Sequence, residues 1–264
     1  MTQLKQVIKN YFLGISNFLN NIGISLRDLV SIVYLPRYIQ QLIQFYELGG
    51  RITNIYPIFS DYRKSAGSVG GHYFHQDLLV ASFIHQKNPE RHVDIGSRID
   101  GFITHLACFR SVDVIDVRKL PPTGHSNITF FQLDLSNPIE IQEATTDSIS
   151  SLHAIEHFGL GRYGDKLDPN GYKVGFNNIL KMLKPGGYLY ISFPISNENR
   201  VYFNAHRAFH PLDIFNWPTT SNQIELVRFD YVDDNGSLHR KIDLMNTALN
   251  VSFGCGIYTF KKLY

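Results

Sequence analysis

The sequence predicts an α/β protein: a doubly wound, mostly parallel sheet of seven strands with an antiparallel last strand, preceded by a helical N-terminal extension. Three observations lead there. Arg91-His92-Val93-Asp94-Ile95-Gly96 is a short apolar run closing on glycine, and a second run, Val112-Asp113-Val114-Ile115-Asp116, follows a helix-compatible segment. That pattern is a strand, a turn, a crossover helix and a second strand. Further apolar runs recur up to residue 193, and two more flank the turn sequence Asp233-Asp234-Asn235-Gly236, which suits a hairpin.

The N-terminal region, residues 1–55, reads as amphipathic helices. Leu4, Val7, Ile8, Tyr11, Phe12, Ile15, Phe18, Leu19 and Ile22 recur at steps of three and four and share one face. Ser25 with Asp28 starts a second helix. Pro36 breaks it and opens a third, with Tyr38, Ile39, Leu42, Ile43 and Tyr46 on one side and Gly49-Gly50 at its end. These faces are expected to pack on the main domain or on a second copy in a homodimer. The alternative is a peripheral membrane contact, against which the scarcity of lysine and arginine on the polar faces counts.

Residues 56–90 read as a lid or linker followed by a helix. Pro57, Gly67, Gly70 and Gly71 break the chain, and Gly71-His72-Tyr73-Phe74-His75-Gln76-Asp77 opens a helix to about Lys87. Its polar start suits caps and solvated positions, or a lid over a ligand. Residues 91–264 form the main domain. Its later strands are Ile128 to Leu133, Ser148 to Leu152 and Tyr188 to Phe193, with a helix from Pro169 to Leu183 stopped by Lys184-Pro185-Gly186-Gly187. A short helix at 211–217 and strands at Ile224 to Val232 and Val251 to Phe260 complete it.

Composition narrows the function classes. In 264 residues, 44% are hydrophobic and 18% charged, with a formal net charge of +2; these are ordinary values for a globular domain with a sizeable core. The charge is too mild for a nucleic-acid binder, and no basic run or zinc-finger spacing supports one. Two cysteines, Cys108 and Cys255, each in an apolar stretch, argue against a disulfide framework and for a reducing, cytoplasmic setting, extended to the membrane surface if the N-terminal helices dock there. No signal peptide is expected. The longest apolar piece, Leu29 to Leu35, is far short of the ~20 residues of a spanning helix.

Twenty residues separate Gly96 from Asp116, the spacing at which a carboxylate reaches the ribose hydroxyls of a nucleotide bound beside a glycine turn. A side chain at Gly96 would hold the backbone away from that ligand. The following helix points free N–H groups toward the same place. A nucleoside-cofactor site is therefore expected.

The ordered pieces resemble class I S-adenosylmethionine-dependent methyltransferases. These are Asp94-Ile95-Gly96, Asp116, Asp134, His153-Ala154-Ile155-Glu156-His157, and Leu183-Lys184-Pro185-Gly186-Gly187-Tyr188-Leu189, spread over residues 90 to 262. Within that group, the GHYFHQDL, DIGSRIDGF, EHFGLGRYGD and NAHRAFHP stretches look like a family of domains of unknown function met in surface-polysaccharide gene clusters. The resemblance implies a Rossmann-like sheet, S-adenosylmethionine as cofactor, and O-methylation of a sugar, glycan-related or other small-molecule acceptor. It places Asp94, Gly96 and Ser97 at the cofactor's methionine end, Asp116 with Val117 at the ribose, and Asp134 with Leu135 at the adenine. Arg98 and Asp100 stand where the family has glycines. Arg98 can turn outward, grip the methionine carboxylate or plug the pocket. The last outcome would make the protein a non-catalytic scaffold for glycan assembly.

A hydroxyl acceptor needs a proton acceptor, and neutral histidine is suited to that. His153, at the carboxyl end of the fourth strand, is the first candidate base. His206 and His210 are expected to line the acceptor pocket, with Arg207 placed to hold a phosphate or carboxylate on the acceptor. His157 is a further candidate, beside Glu156, although a structural role is the simpler reading of both. The loop from Gly161 to Asp168 is expected to cover the substrate or to be a plain surface loop. Two rivals remain. His153-x-x-Glu156-His157 also fits an inverted zinc-protease pattern, although no metal ligand is expected on the main reading. A nicotinamide oxidoreductase would need the full glycine fingerprint, which is absent.

Overall fold

The computed structural model describes residues 31–217 and 223–264. The helix read from Leu4 to Ile22 and the start of the one read from Ser25 lie outside those residues. The chain divides after Ser68 into two compact units, so the 72–87 helix, grouped above with the 56–90 linker, is part of the larger unit.

In the smaller unit a 3-10 turn, Ile32–Tyr34, runs straight into α1, Leu35–Glu47. Pro36 sits in the first turn of α1, where its missing N–H would have had no helical partner. No residue of α1 is buried. Tyr62 donates to Gln41, Arg63 donates to Tyr34, and the Tyr38 and Phe59 rings meet edge to face at 5.6 Å.

The larger unit carries an eight-stranded sheet in the order β3-β2-β1-β4-β5-β10-β8-β9. The strands are β1 (His92–Ile95), β2 (Val112–Asp116), β3 (Ile128–Gln132), β4 (Thr146–Leu152), β5 (Leu183–Ile195), β8 (Ile224–Val232), β9 (Leu238–His239) and β10 (Gly254–Lys262). β1 to β5 are parallel, and β10, β8 and β9 pair antiparallel. The eighth strand is β9: the Asp233–Gly236 turn joins β8 to this short strand and not to β10, where the sequence reading had sent it. β6 (Arg200–Tyr202) and β7 (His206–Ala208) form a separate ribbon.

The doubly wound expectation holds only in part. A short turn, Ile99–Ile103, runs into α3 (Thr104–Ala107) between β1 and β2, and α4 (Gly171–Met182) precedes β5. β2 to β3 and β3 to β4 are joined by irregular chain. Instead α2 (His72–Lys87) covers one face from outside the strand succession. Leu79, Val80 and Ile84 of α2 pack with Phe102, Ile103 and Leu106 over Val112, Val114, Leu152 and Ile257. With Gln76 and Asp77 also buried, α2 is a fixed layer of the fold. On the opposite face Phe176, Ile179 and Leu180 of α4 pack on Ile149, Ile191 and Phe193.

The Lys184-Pro185-Gly186-Gly187 segment lies inside β5. Thr146 pairs with Leu183 and Ser148 with Tyr188, so the extra residues bulge from the ladder between those points. Gly186 takes φ +78 there, which only glycine adopts freely. The short helix expected at 211–217 is a 3-10 turn, Asp213–Asn216. No helix among the described residues is long and apolar enough to cross a membrane.

An aromatic cluster closes the α4 face. Trp217 meets Phe176 at 5.0 Å and Tyr172 at 5.1 Å, both edge to face, and Phe209 at 5.3 Å. Phe176 is wholly buried, so Phe176→Ala should cost about 3–5 kcal/mol of stability. Trp217 is the only tryptophan of the chain, and its fluorescence during urea unfolding of wild type and variant reports the difference.

Candidate functional site

The strand order reverses at β1: β2 and β3 lie on one side of it, β4 and β5 on the other. In such sheets ligands bind beyond the carboxyl ends of the strands at the reversal. A cleft of about 500 Å³, part of it open to solvent, lies there against Gly96, Asp116, Asp134 and His153.

Gly96 follows β1 with φ +71, and a Cβ on it would come within 2.8 Å of the Ala154 Cβ. The position needs glycine both for its backbone and for the close passage of the two segments. Asp116 ends β2. Its Oδ1 accepts from the backbone N–H of Arg118 at 2.8 Å and from Arg118 Nε at 3.0 Å, and Oδ2 accepts from Nη2 at 2.6 Å. Asp134, just beyond β3, accepts from the N–H and hydroxyl of Ser136 through Oδ1 (2.9 and 2.6 Å) and from Asn137 Nδ2 through Oδ2 (2.7 Å). Val117 and Leu135 line the same cleft.

Three residues assigned to the cofactor by resemblance lie elsewhere. Asp94 is fully buried and does not line the cleft; its oxygens accept from Ser97 N (3.1 Å), Ser97 Oγ (2.7 Å) and Ser150 Oγ (2.5 Å). Ser97 is buried with it and also accepts from Leu152 N at 3.0 Å. Arg98 turns outward. It pairs with Asp100 at 2.9 Å, and its guanidinium lies 5.5 Å from the centre of the Tyr73 ring. Of the three orientations open to Arg98, the structure takes the first, and the cleft is not plugged.

His153 follows β4 with a left-handed φ of +50, a conformation that a non-glycine residue holds only when its surroundings demand it. Its Nδ1 is 2.9 Å from Glu156 Oε1, and its ring stacks on His72 at 5.2 Å and lies 5.1 Å from Tyr73. Burial opposes charge on this imidazole, but the Cys255 sulfur and the Glu156 carboxylate outweigh it and raise the pKa well above the ordinary value. Glu156 is itself buried, yet its histidine partners hold its pKa below normal. His157 also lines the cleft. Its Nδ1 donates to the Ala205 carbonyl at 2.7 Å, and burial lowers its pKa. His153 and His157 do not share a helix face, because Ile155–His157 is a 3-10 turn and His157 Nδ1 is committed to Ala205. The inverted zinc-protease arrangement is therefore not formed.

Half-buried His206 lies beside the Tyr202 ring at 4.8 Å and Phe253 at 5.3 Å, and burial lowers its pKa. His210 is exposed. Arg207 is not free for an acceptor: it is buried and donates to the carbonyls of Glu156, Phe158 and Pro169. The loop after Gly159 is stapled by Asp165, which accepts from the backbone of Gly159, Gly161 and Tyr163. Tyr163 and Asp165 line the cleft, as do Arg118 and Phe158. The sequence reading missed the last two. Arg118, two residues past the acidic end of β2, offered a local signal; Phe158 offered none.

A family model described as a Caenorhabditis protein of unknown function, DUF268, matches residues 125–234, less than half of the chain. No curated protein matches it. Among solved structures, a 1,6-didemethyltoxoflavin-N1-methyltransferase of Burkholderia thailandensis, crystallised with 1,6-didemethyltoxoflavin and S-adenosylhomocysteine, is similar over 72% of this chain and 79% of its own, with a TM-score of 0.52 at 16% identity. The [4+2]-cyclase SpnF is similar over 71% and 81%, with a TM-score of 0.51 at 13% identity. At these identities the likeness establishes the fold alone, one shared with this methyltransferase and this cyclase. The cyclase illustrates that one fold hosts more than one reaction.

Burial pushes the Asp94 carboxyl from 3.8 up to about 7, against the pull of Ser150 and Ser97. The folded state thus holds this proton more tightly than the unfolded chain does. The stability it contributes is complete below the unfolded value and is lost as pH rises toward the folded one. Asp94→Asn, which cannot ionise, should gain on the wild type as pH rises from about 4 to about 7 and level off above that. Paired thermal melts across that range check the sign: the difference in Tm must move in favour of the variant.

Proposed function

We propose that the cleft binds S-adenosylmethionine and that the protein methylates an oxygen of a sugar or glycan-related acceptor. The observation that carries the first half is the pair of carboxylates, Asp116 and Asp134, at the ends of neighbouring strands and facing one cleft beside Gly96. The Burkholderia methyltransferase of the same fold, crystallised with S-adenosylhomocysteine and its small-molecule substrate, supports it.

The residues present fit such a cofactor. A carboxylate offers about four lone-pair sites. Asp116 and Asp134 each accept three local hydrogen bonds, which leaves each room for one more donor. On this reading Asp116 takes a ribose hydroxyl and Asp134 the adenine amino group, with Val117 and Leu135 against the apolar parts. The walls add Ile95, Ile115 and Leu133, suited to a flat heterocycle. The scaffold reading depended on Arg98 filling this space, and Arg98 turns away from it.

The cofactor supplies an electrophilic methyl group on a sulfonium. The protein's contribution is to position an acceptor and take its proton. His153 was the first candidate base, but Glu156 engages its Nδ1, and Cys255 and Glu156 raise its pKa well above the ordinary value, which disfavours the neutral ring a base needs. His157 has the opposite character. With Nδ1–H donated to Ala205, its Nε2 is the accepting atom, and burial keeps the ring neutral. We assign the base role to His157. The β6–β7 ribbon joins this site through Ala205 and exposes Tyr202 and Phe203 beside His206. Flat aromatic faces next to an imidazole suit the apolar face and hydroxyls of a sugar ring.

Calorimetry should find one S-adenosylhomocysteine bound per chain. Asp116→Ala should weaken it at least about tenfold, the worth of one good hydrogen bond to a charged group, and His157→Ala should leave it nearly unchanged. Absence of binding heat would return the scaffold reading. Incubation of a methyl-labelled cofactor with nucleotide sugars and oligosaccharides then tests the acceptor class: label should reach a sugar oxygen with wild type and fail to do so with His157→Ala.

A further inference from the structure

The cleft does not use every unusual side chain near it. His72 begins α2, His153 follows β4, and Cys255 is the second residue of β10, so three distant segments meet. One ligating atom from each lies within 4.8 Å of the others. We propose that His72, His153 and Cys255 form a binding site for a divalent cation of the zinc class.

Four observations carry this. His153 Nε2 is buried and has no hydrogen-bond partner among the described residues. A buried ring nitrogen without a partner is a costly arrangement that a bound ion would relieve. On the other side of the same ring, Nδ1 is held at 2.9 Å by Glu156, whose side chain is almost wholly buried. A carboxylate that fixes one ring nitrogen while the other faces a metal is the usual outer support of a zinc histidine. Cys255 is buried beside the His153 ring, and its other thiol contacts among the described residues are long, 3.6 Å to Gln76 Oε1 and 3.8 Å to the Gly256 carbonyl. Finally, His153 keeps φ +50 although no glycine stands there; the surroundings hold this ring in one place at a cost in backbone strain.

The donor set selects the ion. Two imidazoles and a thiolate, without a carboxylate, favour zinc and disfavour magnesium and calcium. Ligands about 2.0–2.3 Å from a tetrahedral zinc stand roughly 3.3–3.8 Å apart, so the cluster must contract by about 1 Å. His72, half-buried at the first residue of its helix with its ring against those of His153 and Phe253, is the member that would have to shift. Coordination breaks the Cys255 S–H bond and any N–H bond at His153 Nε2; those protons pass to solvent, and no electron changes hands. Three protein ligands leave one tetrahedral position for water or an acceptor atom. Because His153 also lines the cleft, the ion would border it. The inference rests on these three side chains and is independent of the methyl-transfer reading.

The test uses the full chain, stripped with chelator and refilled with cobalt(II) as the spectroscopic stand-in for zinc. Expected are one cobalt per chain, tetrahedral visible bands and a thiolate-to-cobalt charge-transfer band. Cys255→Ser should abolish the charge-transfer band, and His72→Ala should weaken zinc at least about tenfold, within the range seen when a site loses one supporting contact. Cys108→Ser, at the exposed cysteine, should change neither. Substoichiometric binding, a band that survives Cys255→Ser, or one lost in Cys108→Ser overturns the site. Should Cys255→Ser not fold by circular dichroism, His72→Ala alone decides, and unchanged affinity there also overturns it. Calorimetry with S-adenosylhomocysteine reads the cleft separately, so each proposal can fail without the other.

Discussion

A carboxylate with no access to water holds the reversal point of the sheet together. Asp94 lies on β1 and takes hydrogen bonds from the loop that follows, through Ser97, and from β4, through Ser150. Ser97 in turn accepts from the Leu152 backbone at the far end of β4. Three chain segments are thus tied to one side chain beneath the cleft. His92 continues the seam, its two ring nitrogens 2.8 and 3.0 Å from the hydroxyls of Ser148 and Ser150. A buried polar group is tolerable only when its partners are supplied, and here β4 supplies them with serine where an apolar residue would otherwise stand. That knot adds side-chain ties to the β1–β4 ladder beneath the Gly96 turn, where the Gly96 N–H also donates to the Ile115 carbonyl at 2.9 Å.

The same logic shapes the two carboxylates above the knot. Asp116 is oriented by Arg118 and Asp134 by Ser136 and Asn137, all within three residues along the chain. Local turns therefore aim both groups before any ligand arrives, which lowers the ordering cost of binding. Arg118 also has its guanidinium 4.5 Å from the centre of the Tyr163 ring, linking the end of β2 to the stapled Asp165 loop across the cleft. The loop read from the sequence as a substrate cover or a plain surface loop is held by backbone N–H groups donated to Asp165.

Much of this was legible because strand ends leave a local trace. An apolar run closing on Asp or Gly marked β1, β2 and β3, and Asp116, Val117, Asp134 and Leu135 do line the cleft. The illegible parts depended on partners distant in sequence. Asp94 carries the same local signature as Asp116, yet it points into the sheet because Ser150 waits there, 56 residues on. Arg207 resembled an anion clamp and is instead spent on three buried carbonyls. The β4 run looked weakly apolar for a core strand, and its serines turn out to be the polar seam. The glycine breakers before it marked the start of α2 but could not say that Gln76 and Asp77 would be buried. The linkers on either side of β3 carry no helix, so the simple alternation inferred from the strand runs fails there.

The histidines divide around a single acid. Glu156 lies 2.9 Å from His153 and 3.7 Å from His157, and the two rings are driven in opposite directions, the first toward charge and the second toward neutrality. Groups pushed apart in this way take different roles. The more neutral ring has its tautomer set by the Ala205 carbonyl, and His157 lines the cleft. The charged ring has its outer nitrogen tied to the acid and its inner nitrogen unpartnered beside Cys255. There a positive charge balances Glu156 whether a proton or a metal ion supplies it. Burial moves His157 toward neutrality against the pull of Glu156, while Cys255 and Glu156 together move His153 toward charge. The acid stands here at almost complete burial because His153 holds one of its oxygens, while the second is unpartnered among the described residues.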